Sequence, residues 1–307
     1  MLASPTTPQI SATATVPQLR LGVAVATKGR AAVVARLVSQ LAEQSRLADR
    51  ILICAPAPED LEGVTSRGPT LRCLVGPNGL PRQRNHLMAA ADDLDILVFL
   101  DDDFVPARNY LKETEAVFLG HPDVIMTTGN VLADGAKGRA VTYDQASEIL
   151  SGPRDKPSRP LSEVYNGYGC NMAVRLEPVR RHGLAFDETL PLYAWLEDVD
   201  FSRSIAAHGR IARAEWAYGV HLGVSGGRQS GQKLGYSQVA NPIYLMGKGT
   251  CSWKKGLNHI ARNVAANLYG AARGERVPDR AGRLYGNACA LGDLFRRRLT
   301  PVRALDF

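Results

Sequence analysis

Ile96-Leu97-Val98-Phe99-Leu100-Asp101-Asp102-Asp103 is the stretch on which the fold turns. Five apolar residues in a row, with no polar alternation, predict a strand buried on both faces, as in a parallel sheet covered by helices. The run ends in three carboxylates. Ligands of open α/β sheets bind just beyond the carboxyl ends of the strands, so these acids fall where a ligand belongs. Adjacent carboxylates repel one another and are costly to desolvate without a compensating cation. A hard divalent ion, Mg²⁺ or Mn²⁺, is the simplest compensation, and a solvated acidic turn is the plain alternative.

Upstream, Leu21–Ala26 predicts another buried strand, broken by Thr27-Lys28-Gly29-Arg30 and followed by a helix with Val34, Leu37, Val38 and Leu41 on one face. Ile51–Cys54 and Leu71–Val75 predict two more strands, with Cys54 and Cys73 as core thiols of a reducing compartment. Gly76-Pro77-Asn78-Gly79 is a turn, and Pro81 suits the first position of a helix reaching Ala91. This order predicts an α/β protein with a mostly parallel sheet flanked by helices. Thr27 and Arg30 lie at a strand's carboxyl end, where they can meet a base or phosphate or simply form an exposed turn. Neither a GxGxxG fingerprint nor a GxxxxGK[ST] loop occurs, so a nucleotide bound here would depend on a metal to hold its phosphates.

Downstream, a helix is expected over 108–119, a strand over 124–128, and a polar surface excursion over 134–163. Tyr165-Asn166-Gly167-Tyr168-Gly169-Cys170-Asn171 leads into a strand at Met172–Val174; its glycines either allow close backbone approach or merely build a turn. Trp195-Leu196-Glu197-Asp198-Val199-Asp200 opens a helix running to Gly209. Its acids suit a helix N-terminus, and Asp198 and Asp200 point to different faces. A strand is expected over Ile211–Trp216, with His221 in the loop after it.

The net charge of +7 and pI near 9.3 suit anionic partners: nucleotide phosphates, nucleic acid or an anionic membrane surface. Basic residues are not interleaved with aromatics, and acids stand where phosphates would bind, which argues against nucleic acid. Residues 1–20 lack the pattern of a secretory signal and no apolar run is long enough to cross a bilayer. The expectation is a cytoplasmic protein, or one on the inner face of the membrane.

Asp101-Asp102-Asp103 after a buried strand, followed a hundred residues later by Glu197-Asp198-Val199-Asp200, resembles the family 2 glycosyltransferases of GT-A fold. Asn78-Gly79 with Arg82-Gln83-Arg84-Asn85 is similar to that family's N-G…A-R-N segment, and Gly183–Glu188 to its G-x-F-D-E lead. The resemblance covers residues 19 to 225. The chain departs from the pattern where Cys54-Ala55-Pro56-Ala57-Pro58 precedes Glu59 and Asp60, the acids expected near the base, and where Ala26-Thr27-Lys28-Gly29-Arg30 replaces the usual P-T-Y-N-R opening.

The resemblance implies an inverting transferase using a nucleotide-diphosphate-sugar donor (UDP, GDP or dTDP linked) and a saccharide or lipid-linked saccharide acceptor, with Mn²⁺ or Mg²⁺ as cofactor. It implies a metal held by Asp101 and Asp103, with Asp103 the direct ligand, and Asp101 or Asp102 either toward the donor's ribose or on metal-bound water. It adds His221 at the metal or pyrophosphate site, where the plain alternative is a surface or packed loop histidine, Arg84 among the donor-binding residues with Thr27 and Arg30, and Asp198 as the base. Glu197 then falls on the acceptor side. Trp195 either stacks on an acceptor sugar or packs in the core. Arg228 and Lys233, in a glycine-rich basic segment, either close over the pyrophosphate or belong to a linker.

The expected organisation is a disordered Ser/Thr/Pro leader (1–18), a catalytic domain (19–250, with a donor half to 128 and an acceptor half from 129) and a helical C-terminal appendage (251–307). In the appendage Leu257, Ile260, Val264 and Leu268 form one stripe, and Leu284, Ala288, Leu291 and Phe295 another. They either pack on the catalytic domain or, with the nearby Lys and Arg, lie on an anionic membrane. The competing functional readings are a metal-dependent nucleotidyltransferase or phosphohydrolase, which leaves Glu197-Asp198 without a task, and a non-catalytic carbohydrate- or nucleic-acid-binding module.

Overall fold

The computed structural model describes residues 18–154, 160–224 and 230–307; most of the predicted leader and Arg228 lie outside them. The chain folds in the order β1 (Leu21–Ala26), α1 (Ala31–Leu41), β2 (Arg50–Ala55), β3 (Thr70–Val75), α2 (Leu80–Ala89), β4 (Ile96–Asp101), β5 (Phe104–Pro106), α3 (Tyr110–Gly120) and β6 (Val124–Asp134). It continues with α4 (Tyr143–Ser151), β7 (Leu161–Glu163), β8 (Asn171–Arg175), α5 (Leu176–Arg181), α6 (Glu197–Ile205) and β9 (Arg210–His221). Three helices follow: α7 (Gly231–Lys248), α8 (Trp253–Ala272) and α9 (Arg280–Phe295).

All nine strands join one sheet in the order β3-β2-β1-β4-β8-β6-β9-β5, with β7 on the side of β9. The strands β1, β2, β3, β4, β6 and β9 run one way, while β5, β7 and β8 run the other. The apolar run of β4 is buried on both faces as expected. Ile96, Val98 and Leu100 join a core with α1 and α3, while Leu97 and Phe99 join a second core with α2, α5 and α6. The β1–β4 register, Leu21↔Ile96 through Ala26↔Asp101, sets the carboxyl ends of both strands side by side.

Four features differ from the sequence expectation. Cys73 is exposed, because β3 is an edge strand that pairs only with β2. The span 134–163 is not featureless: Thr142 and Gln145 form a reciprocal capping box at the start of α4, and β7 pairs with β9. Strand β9 continues past Trp216 to His221, because β5 and the far part of β6 pair with its end. Gly219 makes that crossing possible, since a Cβ there would lie 2.3 Å from the Phe104 ring and 2.6 Å from the Val105 carbonyl oxygen. The appendage stripes are split: Ile260 and Val264 pack inward while Leu257, Leu268 and Phe295 stand exposed.

Helix α2 shows how local sequence sets long-range order. Successive side chains on a helix point about 100° apart, so three consecutive residues reach three neighbours. Gln83 donates to the carbonyls of Thr27 (3.0 Å) and Cys54 (2.8 Å), tying together the ends of β1 and β2. Asn85 exchanges hydrogen bonds with the backbone of Phe186, donating at 3.0 Å and accepting at 2.9 Å. Arg84, between them, points under the sheet's carboxyl edge.

Candidate active site

The acidic edge is built by strand ends. Asp101 closes β4, and β5 turns back at once to pair Phe104 with His221, the last residue of β9. His221 Nε2 lies 3.3 Å from Asp103 Oδ1 and 3.7 Å from Asp101 Oδ2, and one ligand atom from each residue falls within 4.8 Å of the others. Behind the ring, His221 Nδ1 meets Asp134 Oδ1 at 3.0 Å, and the Tyr168 hydroxyl donates to the other Asp134 oxygen at 2.9 Å. A carboxylate on the far nitrogen fixes the orientation of an imidazole that binds a metal through the near one.

The charges of this group shift one another. Burial alone would lower the His221 pKa, yet the hydrogen bonds its ring donates to Asp103 and Asp134 and the charge of Asp101 lift it to about 10. Burial opposes ionisation of Asp103, but His221, Arg30 and the Val224 N–H hold it below the usual carboxylate range. Two carboxylates and an imidazole converging on one point form a donor set that fits a divalent cation such as Mn²⁺ or Mg²⁺.

Asp102 turns the other way. It is 1% exposed, accepts from Thr27 Oγ1 at 2.6 Å and faces Arg30 Nη2 at 2.7 Å. Burial pushes its carboxyl up to about 7, while Arg30 and Thr27 pull it back. Thr27, Arg30 and Asp102 therefore form a cluster beneath the loop between β1 and α1, and Asp101 and Asp103 are the two acids that face His221.

The second acidic group meets the first through Arg84. Its guanidinium pairs with Glu197, donates to the Gly169 carbonyl at 2.7 Å and lies 3.4 Å from Asp101. Phe99 and Phe186 stand over it, with ring centroids 5.8 and 5.4 Å away. Asp198 is half-buried and accepts from the N–H groups of Gly169 (3.0 Å) and Val199 (2.8 Å). A Cβ on Gly169 would sit 3.0 Å from the Glu197 carboxylate and crowd it. Burial raises Glu197 to about 8, with the Asp198 charge adding to it and Arg84 opposing; burial also raises Asp198, against the Gly169 N–H. Leu196, at the N-cap of α6, offers no side-chain bond, and Asp198 takes one N–H of the first turn while also reaching Gly169.

Asp200, fully buried, takes Lys248 at 2.8 Å and Thr250 at 2.5 Å, anchoring the end of α7 rather than facing the site. Trp195 is half-buried, its ring edge-on to His259 of α8 at 5.6 Å. Lys233 lies in the first turn of α7 and donates to the Leu305 carbonyl at 3.4 Å.

Three features of the site escape the sequence reading. Asp134 is hidden because β6 reads as ending at Thr128, well short of the site. Tyr168 reads only as part of a glycine-rich turn. Leu192, Ala194 and Leu196 all adopt positive φ (60°, 52° and 76°), which nothing in their residue types announces. Such strained backbone persists where surrounding structure over-determines it, and it clusters at functional sites. Here it presents Tyr193, 56% exposed, on the lip beside Glu197 and Asp198.

No family model and no curated protein matches the sequence. Solved structures share the fold. A mannosyltransferase from Pyrobaculum calidifontis in complex with GDP-Man and Mn²⁺ is 18% identical, covers 97% of this chain and 88% of its own, and superposes with a TM-score of 0.52. GalNAc-T7 with UDP, GalNAc and Mn²⁺ is 15% identical over 69% of this chain and 45% of its own (TM-score 0.51). S. aureus TarS 1-349 with UDP-GlcNAc is 16% identical over 74% of this chain and 67% of its own (TM-score 0.50). The chain thus spans less than half of GalNAc-T7 and about two thirds of the TarS fragment. At these identities the likeness is one of fold: the chain has the α/β architecture of GT-A glycosyltransferases.

Removing one partner of a buried ion pair strands the other charge, at a cost of about 3–5 kcal/mol. Urea unfolding of Arg84→Ala is expected to show a loss of that size. The double variant Arg84→Ala/Glu197→Gln is expected to recover part of it, because no full charge is then left unpaired at position 197.

Proposed function

We propose that this chain is an inverting, metal-dependent glycosyltransferase that moves a sugar from a nucleotide-diphosphate-sugar donor to a saccharide acceptor. The observation that carries the reading is the pairing of a cation-ready group (Asp101, Asp103, His221) with a separate half-buried carboxylate, Asp198, across the Arg84 bridge. A nucleotidyltransferase or phosphohydrolase would use the first group and leave the second idle. The likeness of fold to transferases solved with UDP-GlcNAc and with GDP-Man and Mn²⁺ supports the same reading.

Asp101, Asp103 and His221 would hold the metal, which supplies Lewis-acid neutralisation of the charge that builds on a departing pyrophosphate. The imidazole in the donor set favours Mn²⁺ over Mg²⁺. Asp198 takes the proton of the acceptor hydroxyl as that oxygen attacks the anomeric carbon; the new C–O bond forms as the bond to the phosphate oxygen breaks on the opposite face. One displacement inverts the anomeric configuration. Glu197 serves by fixing Arg84 and the turn at Gly169, a positioning role that replaces direct acceptor contact. Trp195 supports the wall through His259, and Tyr193 is the aromatic surface left for an acceptor ring. Thr27, Arg30 and Asp102 shape the donor loop from beneath. Assembly of exopolysaccharide or another cell-surface glycan is the setting such a transfer fits.

Two measurements test the reading. Thermal unfolding with UDP, GDP and dTDP, each with and without Mn²⁺, is expected to show Mn²⁺-dependent stabilisation by one nucleotide that Asp103→Ala abolishes. A hundredfold excess over Kd corresponds to about 2.7 kcal/mol. No shift with any of the three, metal present, contradicts the donor site.

The pH profile of transfer tests Asp198. The base acts as its carboxylate, and burial raises its pKa, so activity should climb with pH along a limb set above the ordinary Asp value of about 3.9. Asp198→Asn should keep nucleotide binding, lose about 10²–10⁴-fold in kcat and lose that limb. An unchanged limb in the variant would assign the base elsewhere.

A further inference from the structure

The last helices are built inside out. Where α7 meets α9, the contact is made by glycines: a Cβ on Gly235 would lie 2.1 Å from the Arg283 carbonyl oxygen, and one on Gly286 would lie 2.2 Å from that of Gln232. Amides join the three helices, with Asn267 donating to Gln238 (2.8 Å) and Asn287 (2.9 Å), and Asn287 to the Gly235 carbonyl (2.7 Å). The apolar cluster between them is small, centred on Tyr236, Val239, Ala240 and Ala290.

The large apolar side chains face outward instead. Trp253 is 66% exposed, Leu257 55%, Leu268 58%, Tyr269 62% and Phe295 86%. Of fifteen large apolar side chains exposed among the described residues, eleven lie within residues 253–305. Leu257, Ala261 and Leu268 fall on one line of α8, and Ala281, Ala288 and Phe295 on one line of α9. Exposed apolar surface concentrated in this way marks an interaction site.

Charge identifies the partner. Residues 253–307 hold 11 Lys and Arg against 4 Asp and Glu, a net +7, which equals the net charge of the whole chain. The remaining 252 residues carry 26 of each sign and are neutral overall. Lys254, Arg262, Arg276, Arg296 and Arg297 of this set are exposed. Apolar helix faces with amphipathic aromatic rings and a surround of Lys and Arg complement an anionic bilayer surface. No helix among the described residues is long and apolar enough to cross a membrane, so the helices would lie on it.

We propose that the outer faces of α8 and α9 form a docking surface for an anionic lipid bilayer. The end of α8 that carries Trp253 also holds Lys255 over the Tyr165 ring (4.1 Å) and His259 against Trp195, next to the acid pair. Lys255 and His259 lie about 180° around α8 from Leu257 and Leu268, so docking leaves that wall on the side of α8 away from the lipid, with the helix between the acid pair and the bilayer.

Vesicle flotation of the full chain tests this without donor or acceptor, so its failure leaves the transferase reading standing. Vesicles of phosphatidylcholine and phosphatidylglycerol in equal parts are expected to float the protein, and pure phosphatidylcholine vesicles to float little of it. Leu257→Ser/Leu268→Ser/Phe295→Ser changes only exposed side chains and should cut partition at least tenfold while leaving the thermal midpoint in place. Arg296→Gln/Arg297→Gln should cut it about fivefold per charge, with the loss shrinking at high salt. Absence of flotation, or flotation unchanged by the apolar substitutions, overturns the proposal. So does sedimentation showing a dimer that the apolar substitutions dissolve, because a second copy would then be the partner.

Discussion

One buried guanidinium holds the two acidic groups of this protein in a single site. Arg84 reaches Glu197, the Gly169 carbonyl and Asp101 at once, under the rings of Phe99 and Phe186. Without it, buried carboxylates from β4 and α6 would repel across a region of low dielectric. Its neighbours Gln83 and Asn85 fasten the ends of β1 and β2 on one side and the Phe186 backbone on the other. Three consecutive residues of one short helix thus order the ends of β1 and β2, the acid pair and the Phe186 segment.

The metal-ready group depends on a different constraint, the meeting of strand ends. The termini of β4, β6 and β9 supply Asp101, Asp134 and His221, while β5 folds Asp103 back among them. His221 sits among Asp101, Asp103 and Asp134, whose charges and hydrogen bonds raise its pKa against the effect of burial. Asp102, central in the acidic triplet, is withdrawn into a pocket with Thr27 and Arg30 and stiffens the loop after β1. Adjacent acids in a strand-end triplet alternate in direction, so Asp102 faces Thr27 and Arg30 while Asp101 and Asp103 face His221.

Strands β1, β2 and β4 are legible in the sequence because they are nearly unbroken apolar runs, which a doubly covered sheet buries, whereas β3 is an exposed edge strand interrupted by Arg72. The long strands β6 and β9 are legible only in their first halves, Val124–Thr128 and Ile211–Trp216. Their far halves carry glycines and polar residues, and they pair through bulges and short partners that leave no periodic trace. This is why Asp134 is invisible and why His221 reads as a loop residue. The positive-φ stretch Leu192–Leu196 is equally silent, since leucine and alanine carry no local preference for it. The exposed face of α8 and α9 misleads for another reason. A helical apolar stripe announces burial without saying against what, and here glycine and asparagine make the inner contacts.

The central claim is that Asp101, Asp103 and His221 share one divalent cation opposite Asp198. Anomalous scattering at the manganese edge from crystals grown with Mn²⁺ and the stabilising nucleotide tests it most directly. The account predicts a single strong peak bonded to all three side chains, with the nucleotide's phosphates beside it. A peak elsewhere, or none with the nucleotide bound, would contradict it.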